Sequence, residues 1–174
     1  THHADAYKSI CESLEHSAVF FGRYPEIVWI DATEYDEERM PKLEELKGAT
    51  CAIIPGGFGF RGIKGKVAWA KFLREHNIPT LGICLGMQVM VTEFAQSVLK
   101  IEDACSAEWG DGFKVIDIIE QFEKDGKIEK RSQTTELGGT MRLGAYSAEC
   151  TNKNSLAYKI YGSKFSERHR HRYE

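Results

Sequence analysis

What this chain of 174 residues lacks narrows its class before any motif is considered. No apolar run approaches the roughly 20 residues that a helix needs to cross a bilayer, and the first residues carry no signal-peptide pattern. Charge of one sign is missing too: a net charge of -3 gives no general attraction to nucleic acid or to an anionic membrane. These absences point to a cytoplasmic chain with neither nucleic acid nor membrane as partner. The five cysteines (Cys11, Cys51, Cys84, Cys105, Cys150) are an odd, scattered set without the CxxC spacing of a zinc or redox site, so no metal is expected. They read as reduced thiols, and Cys51, inside an apolar run, as a small buried hydrophobe. No repeat, low-complexity tract or interdomain linker breaks the sequence. A hydrophobic content of 42% supports one domain, 1–174, with a single buried core.

Periodicity supplies the elements. Tyr7, Ile10, Cys11, Leu14, Ala18 and Phe21 recur at helical spacing, with Asp5 as N-cap. Unbroken apolar runs at 27–30, 50–54 and 78–83 read as strands buried on both faces, as in a parallel sheet. Between them, 34–47 is an acidic, solvated connection interrupted by Pro41, with room for a helical turn or two, and 67–76 reads as a helix ending at Asn77. Met87, Met90, Val91, Phe94, Ala95 and Val98 form a second helical stripe. Alternation of strands and helices implies an α/β fold, an open, mostly parallel sheet with helices on both faces. After Ala104 the pattern changes. A strand is expected at 115–119, an exposed hairpin or loop around Asp125-Gly126, a strand at 143–150, a short helix at 155–161 and an Arg-His alternation at 167–174.

The informative stretch is Leu81-Gly82-Ile83-Cys84-Leu85-Gly86-Met87-Gln88. A strand stops and a helix starts within one or two residues, so Cys84 must occupy a tight strand-to-helix turn with small residues two positions either side. That is the Gly-x-nucleophile-x-Gly elbow with Cys in the nucleophile's place. The sulfur then lies at the carboxyl end of a strand, where open α/β sheets place their ligands. It also faces a helix N-terminus, whose free N–H groups favour an anion. Gly-x-Cys-x-Gly alone also fits a buried structural cysteine; the strand before it and the amphipathic helix after it favour the nucleophile. The Leu85 N–H, next along the chain, is placed for an oxyanion on the attacked carbonyl. Pro55-Gly56-Gly57-Phe58-Gly59 ends the neighbouring strand, and Gly57 is the second candidate donor. That loop is not a nucleotide-phosphate fingerprint, since neither GxxxxGK[ST] nor GxGxxG follows.

Pro-Gly-Gly-Phe-Gly followed by Gly-Ile-Cys-Leu-Gly-Met-Gln resembles the class I (triad) glutamine amidotransferases. Phe58-Gly59-Phe60-Arg61-Gly62, Leu137-Gly138-Gly139-Thr140-Met141-Arg142-Leu143-Gly144, Glu167-Arg168-His169-Arg170-His171-Arg172-Tyr173-Glu174 and Asp5-Ala6-Tyr7-Lys8-Ser9 resemble one branch of that family, which aminates UTP to CTP. The resemblance implies a flavodoxin-like fold and attack of Cys84 on the side-chain amide carbon of L-glutamine, giving ammonia and a glutamyl thioester. Gly57 and Leu85 would form the oxyanion hole, with Gly57, Leu85, Gly86, Met87 and Gln88 lining the glutamine site. Glu108 would bind the substrate's α-amino group and Arg172 its α-carboxylate. Arg61 and Gly62 match the lid associated with activation by GTP. No cofactor is implied for this domain; ATP, Mg2+ and UTP belong to a synthase domain as partner, and the full enzyme would be a homo-oligomer.

The family completes its triad with a His-Pro-Glu motif beyond the Arg-His stretch, and none occurs within these 174 residues. The expectation is a chain recorded without its final segment, and loss of the proton carrier commonly lowers a rate by about 10²–10⁴. His169 and His171, with Glu167 nearby, offer a substitute base, but that stretch is already needed for substrate. The competing readings are a PfpI-type hydrolase, an amidotransferase serving another synthase, and a catalytically silent glutamine-binding or assembly module.

Overall fold

The computed structural model describes residues 4–36, 38–118, 121–124, 127–130 and 142–174. They form two units, Thr1–Val115 and Ile116–Glu174, each described by itself.

The first unit is organised by two short strands. β1 (Ala52–Ile54) and β2 (Thr80–Gly82) run parallel, with Ile54 opposite Gly82. The ladder continues past both ends: Ala52 N–H donates to Pro79 O at 2.9 Å and Ile83 N–H to Ile54 O at 3.0 Å. Parallel strands need a crossover, and α2 (Ile63–Glu75) provides it. The helix starts four residues earlier than the apolar stripe suggests, because Gly62, in the left-handed region at φ 71°, turns the chain into it. Asn77, at φ 55°, closes the far end as expected. α3 (Leu85–Ser97) leaves directly from the end of β2.

Two apolar clusters hold these elements. Ile54, Ile63, Ala70, Leu85 and Val89 join β1, α2 and α3, with Val67, Met90 and Trp109 against them. Tyr35, Leu46, Trp69 and Leu73 form the other, where Trp69 meets the Tyr35 ring edge-on at 5.3 Å. The acidic connection is therefore not the solvated segment expected: most of its described charged residues face out, but Tyr35, Pro41 and Leu46 are buried and two of them join the core. It carries two 3-10 turns, Ala32–Glu34 and Leu43–Leu46. β3 (Cys105–Ser106) and β4 (Lys114–Ile116) complete the set, Cys105 N–H donating to Phe113 O at 2.8 Å.

Three further expectations fail here. Residues 27–30 form no strand; Trp29 stays largely exposed, and Ile30 reaches the Tyr35–Trp69 cluster without ladder hydrogen bonds. A short apolar run shows that side chains seek burial and says nothing of whether a neighbouring strand stands in register. Cys51 is exposed, one residue ahead of the point where β1 begins. Asp5 lies within a 3-10 turn, Ala4–Tyr7, and α1 (Lys8–Phe20) is entered through Tyr7.

In the second unit the strands are antiparallel. β5 (Gln121–Lys124) pairs with β6 (Lys127–Lys130), so the hairpin pairing is present, though its Asp125-Gly126 turn lies outside the described residues. β7 (Arg142–Glu149) pairs with β8 (Lys164–His171) over eight residues, from Arg142 opposite His171 to Glu149 opposite Lys164. α4 (Leu156–Tyr161) connects them, its Tyr158 N–H donating to the Ser155 hydroxyl at 3.1 Å. The parallel pairing thus belongs to the first unit. Residues 1–3, 119 and 137–141, on which sequence expectations also fell, lie outside the described set.

Helices α2 and α3 are tied by a charge pair. Arg74 Nε and Nη2 donate to both oxygens of Glu93 at 2.9 and 2.7 Å, and Glu93 is 2% exposed. Those bonds hold the Arg74 guanidinium above its ordinary value. Removing one partner of such a pair strands a buried charge, whereas replacing both by apolar groups is often neutral. Arg74→Met should therefore destabilise the chain by roughly 3–5 kcal/mol. The double variant Arg74→Met/Glu93→Leu should recover most of the loss, read as urea midpoints at constant slope.

Candidate active site

The elbow is built by backbone contact. An added Cβ at Gly86 would stand 1.8 Å from Ile54 O, and one at Gly82 would stand 2.6 Å from Met87 N. Neither position can carry a side chain without parting α3 from the strands. The chain between them makes its turn at Cys84, whose φ of 53° and ψ of -112° lie outside the regions open to L-residues at low energy. Such a conformation costs on the order of 1–3 kcal/mol and persists where surrounding packing over-determines it. The result is an exposed Cys84 seated on a buried helix start, with Leu85 2% exposed behind it.

The hydrogen bonds around the turn leave a direction for an anion. Gly86 N–H donates to Ile83 O at 2.9 Å and Gln88 N–H to Cys84 O at 3.2 Å. Leu85 opens the helix, where backbone N–H groups have no intrahelical acceptor. The 55–59 loop lies alongside: a Cβ on Gly56 would be 3.4 Å from Cys84 Cβ, and one on Gly57 would be 3.2 Å from Leu85 Cδ2. Both expected oxyanion residues thus flank Cys84. Glu108, after β3, comes to the same place, its Oε1 accepting the Gly59 N–H at 2.7 Å while its own N–H donates to the buried Ser106 hydroxyl at 3.2 Å.

The structure sorts the remaining residues. Gln88 is buried, Met87 exposed, and Gly86 packed against β1. Arg61 is exposed in the turn ahead of α2, with Gly62 as the helix's N-cap. Arg172 belongs to the second unit, just past β8, and is half-buried there. The expected alternation on that strand is real: His169 Nδ1 and His171 Nε2 are 2.7 Å apart on one face, with Tyr146 edge-on to His169. Desolvation first, then the charges of Arg142 and His171, hold His169 below its ordinary value.

One residue escaped the sequence reading. Lys66 is half-buried in the first turn of α2, and its Nζ lies 3.5 Å from the position a Gly57 Cβ would take. Burial pushes its ammonium down, while the charges of Cys84 and Glu108 pull it back up. A lysine at the fourth position of a helix carries no motif, so only the fold reveals it.

A strand-elbow-helix with a cysteine on the turn and a glycine loop beside it has its counterpart among known proteins. The family model described as glutamine amidotransferase class-I matches residues 2–174, and this chain belongs to that family. Its described architecture is accordingly the α/β fold of the family. Within the family, the chain is 44% identical over 172 residues to the CTP synthase of Zymomonas mobilis subsp. mobilis, a match covering 98% of this chain and 31% of that protein. A solved glutaminase domain of Trypanosoma brucei CTP synthase, with bound acivicin, superposes with a TM-score of 0.77 at 34% identity, covering 99% of this chain and 63% of that one. The chain spans about a third of the length of the curated relative.

The strain at Cys84 makes a prediction independent of any substrate. Cys84→Gly should raise stability toward urea by about 1–3 kcal/mol, because glycine adopts this turn freely, whereas Cys84→Ala keeps the Cβ and gains little. Equal midpoints for the two variants would contradict a strained elbow.

Proposed function

We propose that this chain is the glutaminase part of a CTP synthase, with Cys84 as its nucleophile. The observation that carries this is the placement of Cys84, Gly57 and Leu85 side by side at the end of β2. The reaction follows from that placement. The Cys84 sulfur adds to the side-chain amide carbon of L-glutamine, and the carbonyl oxygen takes up negative charge. The Leu85 and Gly57 N–H groups stabilise that oxygen, a term worth about 3–4 kcal/mol per donor in comparable sites. The C–N bond then breaks, the thiol proton leaves with the amine as ammonia, and a glutamyl thioester remains. Water cleaves the C–S bond, returning the thiol and releasing glutamate.

Further roles belong to the same reading. Met87 lines the glutamine site from the exposed side of α3, while the buried Leu85, Gly86 and Gln88 shape it from behind. Glu108 binds the α-amino group; for Arg172, in the second unit, only the family resemblance suggests the α-carboxylate. The exposed Arg61-Gly62 turn is the lid that answers GTP. Ammonia passes to a synthase domain for ATP-dependent amination of UTP with Mg2+, in a homo-oligomeric, cytoplasmic enzyme. Among the described residues no helix is long and apolar enough to cross a membrane.

Acivicin, a glutamine-mimicking electrophile, tests the site. Intact mass should show one adduct, mapped to Cys84, absent in Cys84→Ser and suppressed by excess L-glutamine. Labelling spread over other cysteines, or none at all, would leave a silent glutamine-binding or assembly module as the better description.

A further inference from the structure

The charge at Lys66 is poorly placed for the helix that carries it. Cations are unfavourable in the first turn of a helix, where the backbone already presents positive ends, and the side chain is half withdrawn from water. Helix stability and solvation therefore both disfavour an ammonium at this position. What favours it is the site. A Cβ built on Gly57 would stand 3.5 Å from the Nζ and one built on Gly56 would stand 3.4 Å from Cys84 Cβ, and the charges that act on the ammonium are those of Cys84 and Glu108. Glu108 in turn accepts the Gly59 N–H at the far end of the same glycine loop.

We propose that Lys66 is a positioning residue of this active site. Its ammonium holds negative charge at the Cys84 sulfur, and it draws the Glu108 carboxylate, with the Gly57–Gly59 backbone, against the elbow. The proposal rests on reading Cys84 as the nucleophile and adds the residue whose charge favours negative charge on its sulfur. Sulfur attacks as thiolate, so a fixed cation raises the reactive fraction. The same charge sits beside the proposed oxyanion donor and acts in the same direction when the carbonyl oxygen becomes negative.

Iodoacetamide alkylation at neutral pH, quantified by peptide mass spectrometry, tests this on the whole chain. The reagent is neutral and needs no glutamine pocket. Lys66→Met should slow alkylation at Cys84 by roughly threefold to tenfold, the size expected for one partly screened charge. Lys66→Arg should restore most of the rate, and the exposed Cys51 in the same samples should react unchanged. The Met variant should also be at least as stable as the parent. If Lys66→Met loses cooperative unfolding, Lys66→Gln replaces it with a neutral chain that keeps a polar end. Equal Cys84 rates in parent and neutral variant would overturn the proposal. So would an Arg variant as slow as Met, since that means shape, not charge, is required. A charge-dependent Cys84 rate without acivicin labelling would leave the Lys66 assignment standing and remove glutamine from the account.

Discussion

The contact on which the rest depends is between backbones: the Cα of Gly86 lies so close to the carbonyl of Ile54 that no side chain fits between them. Once the first turn of α3 is pressed onto β1, and Gly82 is pressed onto Met87 from the other side, the residue between strand and helix has no relaxed conformation left. Cys84 takes φ 53° because both neighbours are held. The strain, the exposure of the sulfur and the nearness of the helix N-terminus are then one fact seen from three directions. Val89 and Leu85 bury the seam beneath, and Ile63 and Ala70 bring α2 to it.

Two kinds of charge arrangement accompany this backbone scaffold. The Arg74–Glu93 pair lies along α2 and α3 and satisfies both carboxylate oxygens, so its work is structural. The Lys66, Cys84 and Glu108 group lies at the opening of the same two helices and is left partly open. A closed pair resists change; an open group can exchange one anion for another as a reaction proceeds. Placing the closed pair beyond the open one lets the helices stay fixed while charge moves at their ends.

Much of this was legible in the sequence, for identifiable reasons. Strand, glycine, cysteine, glycine and amphipathic stripe in immediate succession leave few foldings, so the elbow was legible and α3 to within two residues. β7 and α4 lie within a residue of the expected segments, while β8 was foreshadowed only by the Arg-His alternation. Residues 27–30 misled because apolar content reports burial and not pairing. Cys51 misled because the boundary of β1 decides its exposure, and boundaries are the weakest part of any pattern reading. Lys66 was invisible because its meaning comes from Glu108, far along the chain, and from a glycine with no side chain to pair with it.

The claim at the centre is that Cys84, displayed by that packed turn, attacks the side-chain amide of glutamine. The most direct measurement mixes the protein with L-glutamine, quenches in acid over a series of times and weighs the Cys84 peptide. The account predicts a peptide carrying one glutamyl group in thioester linkage, labile to hydroxylamine and accompanied by free ammonia. A Cys84 peptide that stays unmodified at every time, in a chain that remains folded, would contradict it.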